Sequence, residues 1–448
     1  MKTQTVTILF ALLVALIAPT VLAAQEAVEN TSSAVGVSAT GDVWTLTPSE
    51  AVERVLAASR AIQSARIDLG IQEAAAQNSW NRFLPSLQLS AGPSYSFAED
   101  LEERWSASGQ VSARLTLSGT TVTIPESRDL AVRKSSLALE QEEWQLRREV
   151  LRSYFQIVSR RASVELQEQR VAAARRRLLQ IEENFDAGVV SEFSVLDARL
   201  SYQNTLPELT GAEQRLRTAL RDFRSLLGIP EDEQIELVTD IPFLALNHSA
   251  EQLLSEYAPG APAVREAQLG RASAALDQER KQNSLLPSVS LAASVGYAGR
   301  EPFELTDQAI NRTGSGSITV TVPLDPFIPG SDGALGRSES QRRIEIAEYR
   351  LESAEDQLSR SLRNAVDGAQ ASATQIEVVE RNAELAERVY QIAQERFEAG
   401  AIDALELQNS EVERTRARVA VIEQRLTHVQ SLIEVEYLLG VDLEDLPW

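Results

Sequence analysis

Cysteine is absent from this chain of 448 residues. That excludes disulfides, thiolate metal sites, a cysteine nucleophile and a lipidated N-terminal cysteine. The only two histidines, His248 and His428, lie far apart in sequence. Each is read as a solvated or packed side chain rather than a ligand. Lysine is nearly missing too: only Lys2, Lys134 and Lys281 occur, and arginine supplies the rest of the 43 cationic residues. These are interspersed among 65 acidic residues, for a net charge of −22, so no clustered basic surface for nucleic acid is expected. After the N-terminus no apolar run reaches the about 18 residues of a spanning helix. Gly-x-Ser-x-Gly, His-Glu-x-x-His, phosphate-loop and Rossmann signatures are all missing. No enzyme and no cofactor or metal site is therefore expected, and the dispersed carboxylates read as solvated helix faces.

The N-terminus reads as an export signal over residues 1–24: Lys2, an apolar run from Val6 to Ala18, and small residues at Ala23 and Ala24 for cleavage. A short membrane anchor is the competing reading. A small, polar lead-in occupies 25–42. Thr47-Pro48-Ser49-Glu50 then opens a helix, with Thr47 as N-cap, Pro48 in the first turn and Glu50 completing a capping box. A break near Ser59 is expected, and helical spacing runs on to Trp80.

At Leu84-Pro85 the period changes from helical to two. Leu87, Leu89, Ala91, Tyr95 and Phe97 alternate with polar residues; after an acidic loop at 99–103, Trp105, Val111, Ala113, Leu115 and Leu117 do the same. This predicts a β-hairpin over 86–118 with strands of about ten residues. Pro125 opens the longest helical run. Leu130, Leu137, Trp144, Leu151 and Val158 step by seven, as do Val150, Ile157, Val164, Val171, Leu178 and Phe185, which is coiled-coil spacing. Phe185-Asp186-Ala187-Gly188 ends it. A return run follows to Leu226-Leu227-Gly228, with a kink or break expected at Pro207.

The pattern then repeats. After a proline-punctuated connector at 229–248 come a helical stretch (Ser249 to Ser284), Leu286-Pro287, and alternation over 288–324 carrying Val289, Leu291, Ile318 and Val320. A long helix with Ile344, Leu351, Leu358, Val378, Leu385 and Ile392 follows, then Phe397-Glu398-Ala399-Gly400 and a return run to Leu438-Leu439-Gly440. Phe185 recurs as Phe397 and Gly228 as Gly440, both at one and the same offset. The domains expected are thus a first repeat over 25–228 and a second over 249–448 that includes a short acidic tail. The fold class is mainly α with β: duplicated long helical hairpins plus four strands.

Four strands cannot close a membrane barrel, which needs about eight, and an open apolar edge is not tolerated in lipid. Strands in a membrane would have to be pooled from several chains. Leu87, Leu89, Leu115, Val289, Leu291 and Val320 would then face lipid, Ser90 and Thr319 a watery lumen, and Tyr95, Trp105, Tyr297 or Phe303 the interface girdle. A soluble sandwich with one apolar face is the other reading.

The Leu-Pro-strand junctions at Pro85 and Pro287, the Phe-x-x-Gly turns at Gly188 and Gly400 and the paired Leu-Leu-Gly ends resemble the TolC-type outer-membrane efflux proteins, over roughly Leu46 to Leu443. The resemblance implies a homotrimer whose pooled strands form one outer-membrane barrel above a periplasmic coiled-coil tunnel. It implies an exit duct of a tripartite efflux or type I secretion system, working with a periplasmic adaptor and an inner-membrane transporter. Gly188, Val189, Val190, Gly400, Ala401 and Ile402 become periplasmic tip positions that dock the adaptor. Asp403, Glu406 and Asp197 become candidates for an acidic gate, although Ser194 stands where the second repeat has Glu406. The tyrosine and arginine latch of some members would fall around Phe397 and Ile402, and neither of those two positions is a tyrosine or an arginine. A periplasmic coiled-coil structural or adaptor protein without a barrel is the alternative.

Overall fold

The computed structural model describes residues 44–98, 101–230, 233, 235–238, 246, 248–299 and 310–442. The expected signal peptide, the lead-in, most of the connector, Phe303 and the tail from 443 lie outside the described residues, as do the side chains of Tyr95 and Trp105. Residues 45–231 and 237–448 form one compact unit, and the elements that matter here lie in it.

After β1 (Trp44–Leu46) come α1 (Pro48–Ala58) and α2 (Arg60–Gln77). The expected capping box is present: the Glu50 amide donates to Thr47 Oγ1 at 3.3 Å and the Thr47 amide to Glu50 Oε2 at 2.8 Å. The break at Ser59 is also present, and the Ser59 hydroxyl caps α2. β2 (Ser86–Ala98) and β3 (Leu101–Leu117) form the first hairpin. β3 already begins at Leu101, so the acidic segment expected as a loop is largely strand, and both strands exceed ten residues. α3 (Ile124–Asp186) has 63 residues, about 95 Å at 1.5 Å per residue. α4 (Glu192–Leu227) runs through Pro207 without a break. A single missing N–H inside 36 residues of otherwise packed helix is outweighed by the buried positions on either side, Thr205 and Ala212.

β4 (Ile235–Leu237) pairs with β1, a small sheet with no sequence signal. The Tyr154 hydroxyl on α3 lies 2.8 Å from the Leu46 carbonyl and 3.1 Å from that of Val238. Burial pushes its pKa up to about 12. The helical stretch expected over 249–284 is split into α5 (Ala250–Tyr257) and α6 (Pro262–Asn283) by a tight turn at Ala258–Gly260. Pro259 and Pro262 explain the split, since each removes an amide donor. Then follow β5 (Ser288–Gly299), β6 (Ile310–Thr321), α7 (Asp332–Glu398, 67 residues) and α8 (Ala404–Leu439).

The four long strands form one antiparallel sheet in the order β2-β3-β5-β6. Leu89 pairs with Val111, Leu115 with Leu291, and Val289 with Val320. Because side chains alternate along a strand, this register puts all six expected lipid-facing residues on one side. Leu87, Leu89, Leu291, Val320 and Ile318 on that side are exposed in the protomer, with no second layer among the described residues. The sandwich reading fails on this point.

Helix α3 packs mainly on α4, and α7 on α8. Leu137, Leu151, Val158, Val150, Ile157, Val164 and Leu178 of the heptad stripes are buried, and Phe185 is exposed. In the second repeat the stripe behaves differently. Leu358 is buried, but Val378, Leu385 and Ile392 are exposed; Leu362, Val366, Ala369 and Ile376 make the core instead. Seven-residue spacing marks an apolar stripe but does not say which partner covers it.

Candidate functional site

Both helical hairpins turn with the same backbone. Gly188 has φ +73° and Gly400 φ +70°, a region open to glycine and strained for other residues. The Val189 amide donates to the Asn184 carbonyl at 2.8 Å and the Gly188 amide to Phe185 at 2.8 Å; Ala401 and Gly400 repeat this with Arg396 and Phe397 at 2.8 and 2.9 Å. Two crossed bonds of this kind satisfy carbonyls left open at a helix C-terminus. Each return helix starts with a cap at the matching position of its repeat. Ser191 Oγ accepts from the Ser194 amide at 3.4 Å and Asp403 Oδ1 from the Glu406 amide at 2.8 Å. Gln408 donates to Ser201 Oγ at 3.4 Å, so the two hairpins touch close to their turns.

The apolar pairs after the glycines are not uniformly exposed. Val189 is 73% exposed, whereas Val190 packs on Leu178, Ile181, Val195 and Ala198. Ala401 is exposed and Ile402 half-buried. At the first turn Val190 therefore staples the turn and Val189 is available; at the second, Ala401 is the more exposed of the two. Phe193, 77% exposed, and Leu196 extend the available surface at the first turn, and Leu405 at the second. Helical spacing alone suggests these three only as core positions or not at all.

Of the three acidic candidates, Asp403 is engaged as the cap and Glu406 lies 3.9 Å from Arg396. Asp197 is exposed. Sequence reasoning missed Arg177 on α3, which feels the charges of both Asp197 and Asp403. Burial lowers its pKa, and Glu411, Asp197, Tyr390 and Asp403 oppose that shift. Glu411 on α8 is 9% exposed, and its Oε1 has no hydrogen-bond partner among the described residues. Burial raises its pKa against the pull of Arg414, Arg177, Arg170 and Arg176. Arg414 stacks over Tyr390 at 3.8 Å and reaches Glu387 at 3.8 Å, and Glu387 also holds Arg418 at 2.7 Å. This charged patch joins α3, α7 and α8. Its members come from both repeats, far apart along the chain, so no local pattern could have announced it. His428 is a packed side chain, 3.0 Å from Ser372 Oγ. No group of acidic or histidine residues that could hold a metal occurs among the described residues.

The sequence profile of the family described as outer membrane efflux protein matches residues 51–229 and 253–441, one segment in each repeat. Outer membrane protein TolC of Salmonella enteritidis is 20% identical over 367 residues, covering 79% of this chain and 74% of that protein. Pyoverdine export outer membrane protein OpmQ of Pseudomonas aeruginosa is 22% identical over 293 residues, 65% of this chain and 60% of that protein. Among solved structures, the outer membrane protein VceC of Vibrio cholerae superposes with a TM-score of 0.70 at 16% identity, covering 88% of this chain and 96% of VceC.

Proposed function

Since the chain belongs to the outer membrane efflux protein family, we propose that it is the outer-membrane exit duct of a tripartite efflux or type I secretion system. It would pass substrates from the periplasm or a pump to the exterior. The observation that carries this reading is the sheet: four strands with one uncovered apolar face and two free edges, β2 and β6, mounted on helices about 95–100 Å long. In lipid such edges must be paired. Three copies joined β6 to β2 supply twelve strands, an even number within the barrel range. The helices support the same closure. Ile67 and Ile71 lie exposed on α2, which leads into the edge strand β2, and Leu335, Ile346 and Tyr349 lie exposed on α7, which follows the edge strand β6. The stripe of Val378, Leu385 and Ile392 then finds its cover in the assembly. The hairpin turns lie at the opposite end from the sheet along α3 and α7, where an adaptor coupled to an inner-membrane transporter would meet them.

Because the chain lacks cysteine, single cysteines report cleanly. Ile71→Cys on α2 combined with Leu335→Cys on α7 should give cross-linked dimers and trimers on oxidation, in an outer-membrane fraction where the protein runs as a heat-modifiable trimer. A chain that stays monomeric and fractionates with soluble periplasmic proteins would overturn the reading. Glu406 and Asp403, in three copies at a narrow mouth, favour cations. Single-channel recordings in asymmetric salt should show cation preference that weakens in Glu406→Gln; anion preference in the unmodified protein would sink the acidic-gate assignment.

A further inference from the structure

Where the strands meet the helices, a cavity of about 330 Å³ is lined by Arg82, Ile124, Ser127, Arg128 and Arg280. Three of its five lining residues are arginines in a chain of net charge −22. None of the three makes an ion pair among the described residues, whereas all four arginines of α8, Arg414, Arg416, Arg418 and Arg425, do. The acidic neighbours do not answer them: Glu126 and Asp129 do not line the cavity, and Asp129 is held by Arg133 at 2.8 Å. Arg82 lies three residues before Pro85, Arg128 in the first turns of α3, and Arg280 in the last turn of α6. All three therefore sit close to the ends of β2, β3 and β5.

The same level carries exposed apolar side chains: Trp80, Phe83, Leu84, Val122 and Leu286. All five stand within a few residues of the strand ends, Trp80, Phe83 and Leu84 before β2, Val122 after β3 and Leu286 before β5. A cationic cavity edged by apolar surface, at the rim of a lipid-facing sheet, has the chemistry of a phospholipid site. Arginine matches a phosphate through its planar fork of donors, and acyl chains would lie along the strands. We propose that this cavity binds the headgroup phosphate of an anionic phospholipid in the periplasmic leaflet and fixes the depth of the barrel there. The proposal rests on the membrane placement given above.

The test uses the full chain purified and reconstituted into nanodiscs of phosphatidylcholine, with and without phosphatidylglycerol. Lipid retained after transfer to detergent is read by native mass spectrometry. The unmodified protein should retain phosphatidylglycerol over phosphatidylcholine. Each of Arg82→Gln, Arg128→Gln and Arg280→Gln should lower that preference about fivefold, the value of about 1 kcal/mol per cationic side chain. Arg416→Gln, on the exposed side of α8 beside Glu413, should not change it. Should the variants fail to assemble, phenylglyoxal modification of the unmodified protein decides: phosphatidylglycerol discs, but not phosphatidylcholine discs, should protect the three arginines. Equal retention of both lipids, or equal protection, overturns the proposal. So does displacement of the lipid by equimolar inorganic phosphate, which would make the cavity a site for soluble anions facing the lumen. A protein that enters neither kind of disc would instead refute the membrane placement itself.

Discussion

The two hairpin turns have the same backbone and different interiors. Leu178, Ile181, Val195 and Ala198 form the apolar filling of the first, with Tyr202 packed against it. The matching positions of the second repeat hold Tyr390, Ala393, Leu407, Ser410 and Arg414. Leucine is thus replaced by a tyrosine lying under Arg414, and the neighbouring Glu411 is buried with one oxygen that finds no partner among the described residues. The crossed hydrogen bonds and positive-φ glycines need only local spacing, so duplication preserved them. The filling depends on what packs across from it, and there the copies diverged. The first turn is a closed apolar end with exposed Val189 and Phe193. The second is held by charge, an arrangement whose strength depends on protonation and on the surrounding dielectric.

The contrast between the turns is tested most severely at the exposed apolar surface. Val189→Asp should abolish export while trimers still reach the outer membrane at normal level, whereas Ala401→Asp should reduce it less, because Ala401 offers little apolar area. Equal export by both variants, with adaptor cross-links through the first turn intact, would remove the docking role. Next comes the filling. Leu178→Ala should cost about 3 kcal/mol per chain, the usual range for a buried leucine; a loss below about 1 kcal/mol in chemical denaturation would mean that this cluster does not hold the turn.

The glycines probe what the turns share. Gly188→Val and Gly400→Val should each cost about 1–2 kcal/mol, and by similar amounts, since the strain is in the backbone and a Cβ meets nothing within 4 Å at either site. Unequal losses would show that the two turns are not equivalent in the assembled protein. The smallest effect should be at Glu411, and of opposite sign to that of Leu178. Its folded pKa is raised above the ordinary 4.5. The folded state then holds the proton more tightly than the unfolded one, so stability falls as pH rises through the window above 4.5. Glu411→Gln removes this titration. The unmodified protein should lose thermal stability relative to the variant as pH rises through that window, and a difference that stays flat with pH would contradict the burial of this carboxylate.

Much of the fold was legible because it is periodic. Period two from Leu87 and Val289, period seven from Leu130 and Val150, the capping box at Thr47 and the glycines at 188 and 400 are all local consequences of backbone geometry. The apolar side of the strands was legible for the same reason: alternation fixes the face once the strand is known. Less could be read at Pro207, where packing overrides a local helix breaker, and at Pro262, where a break went unseen inside an even apolar pattern. Nor does adjacency in sequence say which of Val189 and Val190 folds inward.

The order of the residues was enough to specify the duplicated succession of helix, hairpin and helical turn, and the caps and glycines that end each element. These depend on residues within one or two turns of each other. Packing in three dimensions was needed for the rest: that Val378, Leu385 and Ile392 lie uncovered, that Tyr154 reaches the carbonyls of both Leu46 and Val238, that Glu411, Arg177 and Tyr390 converge, and that Arg82, Arg128 and Arg280 share a cavity. These features join side chains distant in the chain, brought together by how long helices pack, and packing is set by the sum of many weak contacts that no single spacing encodes.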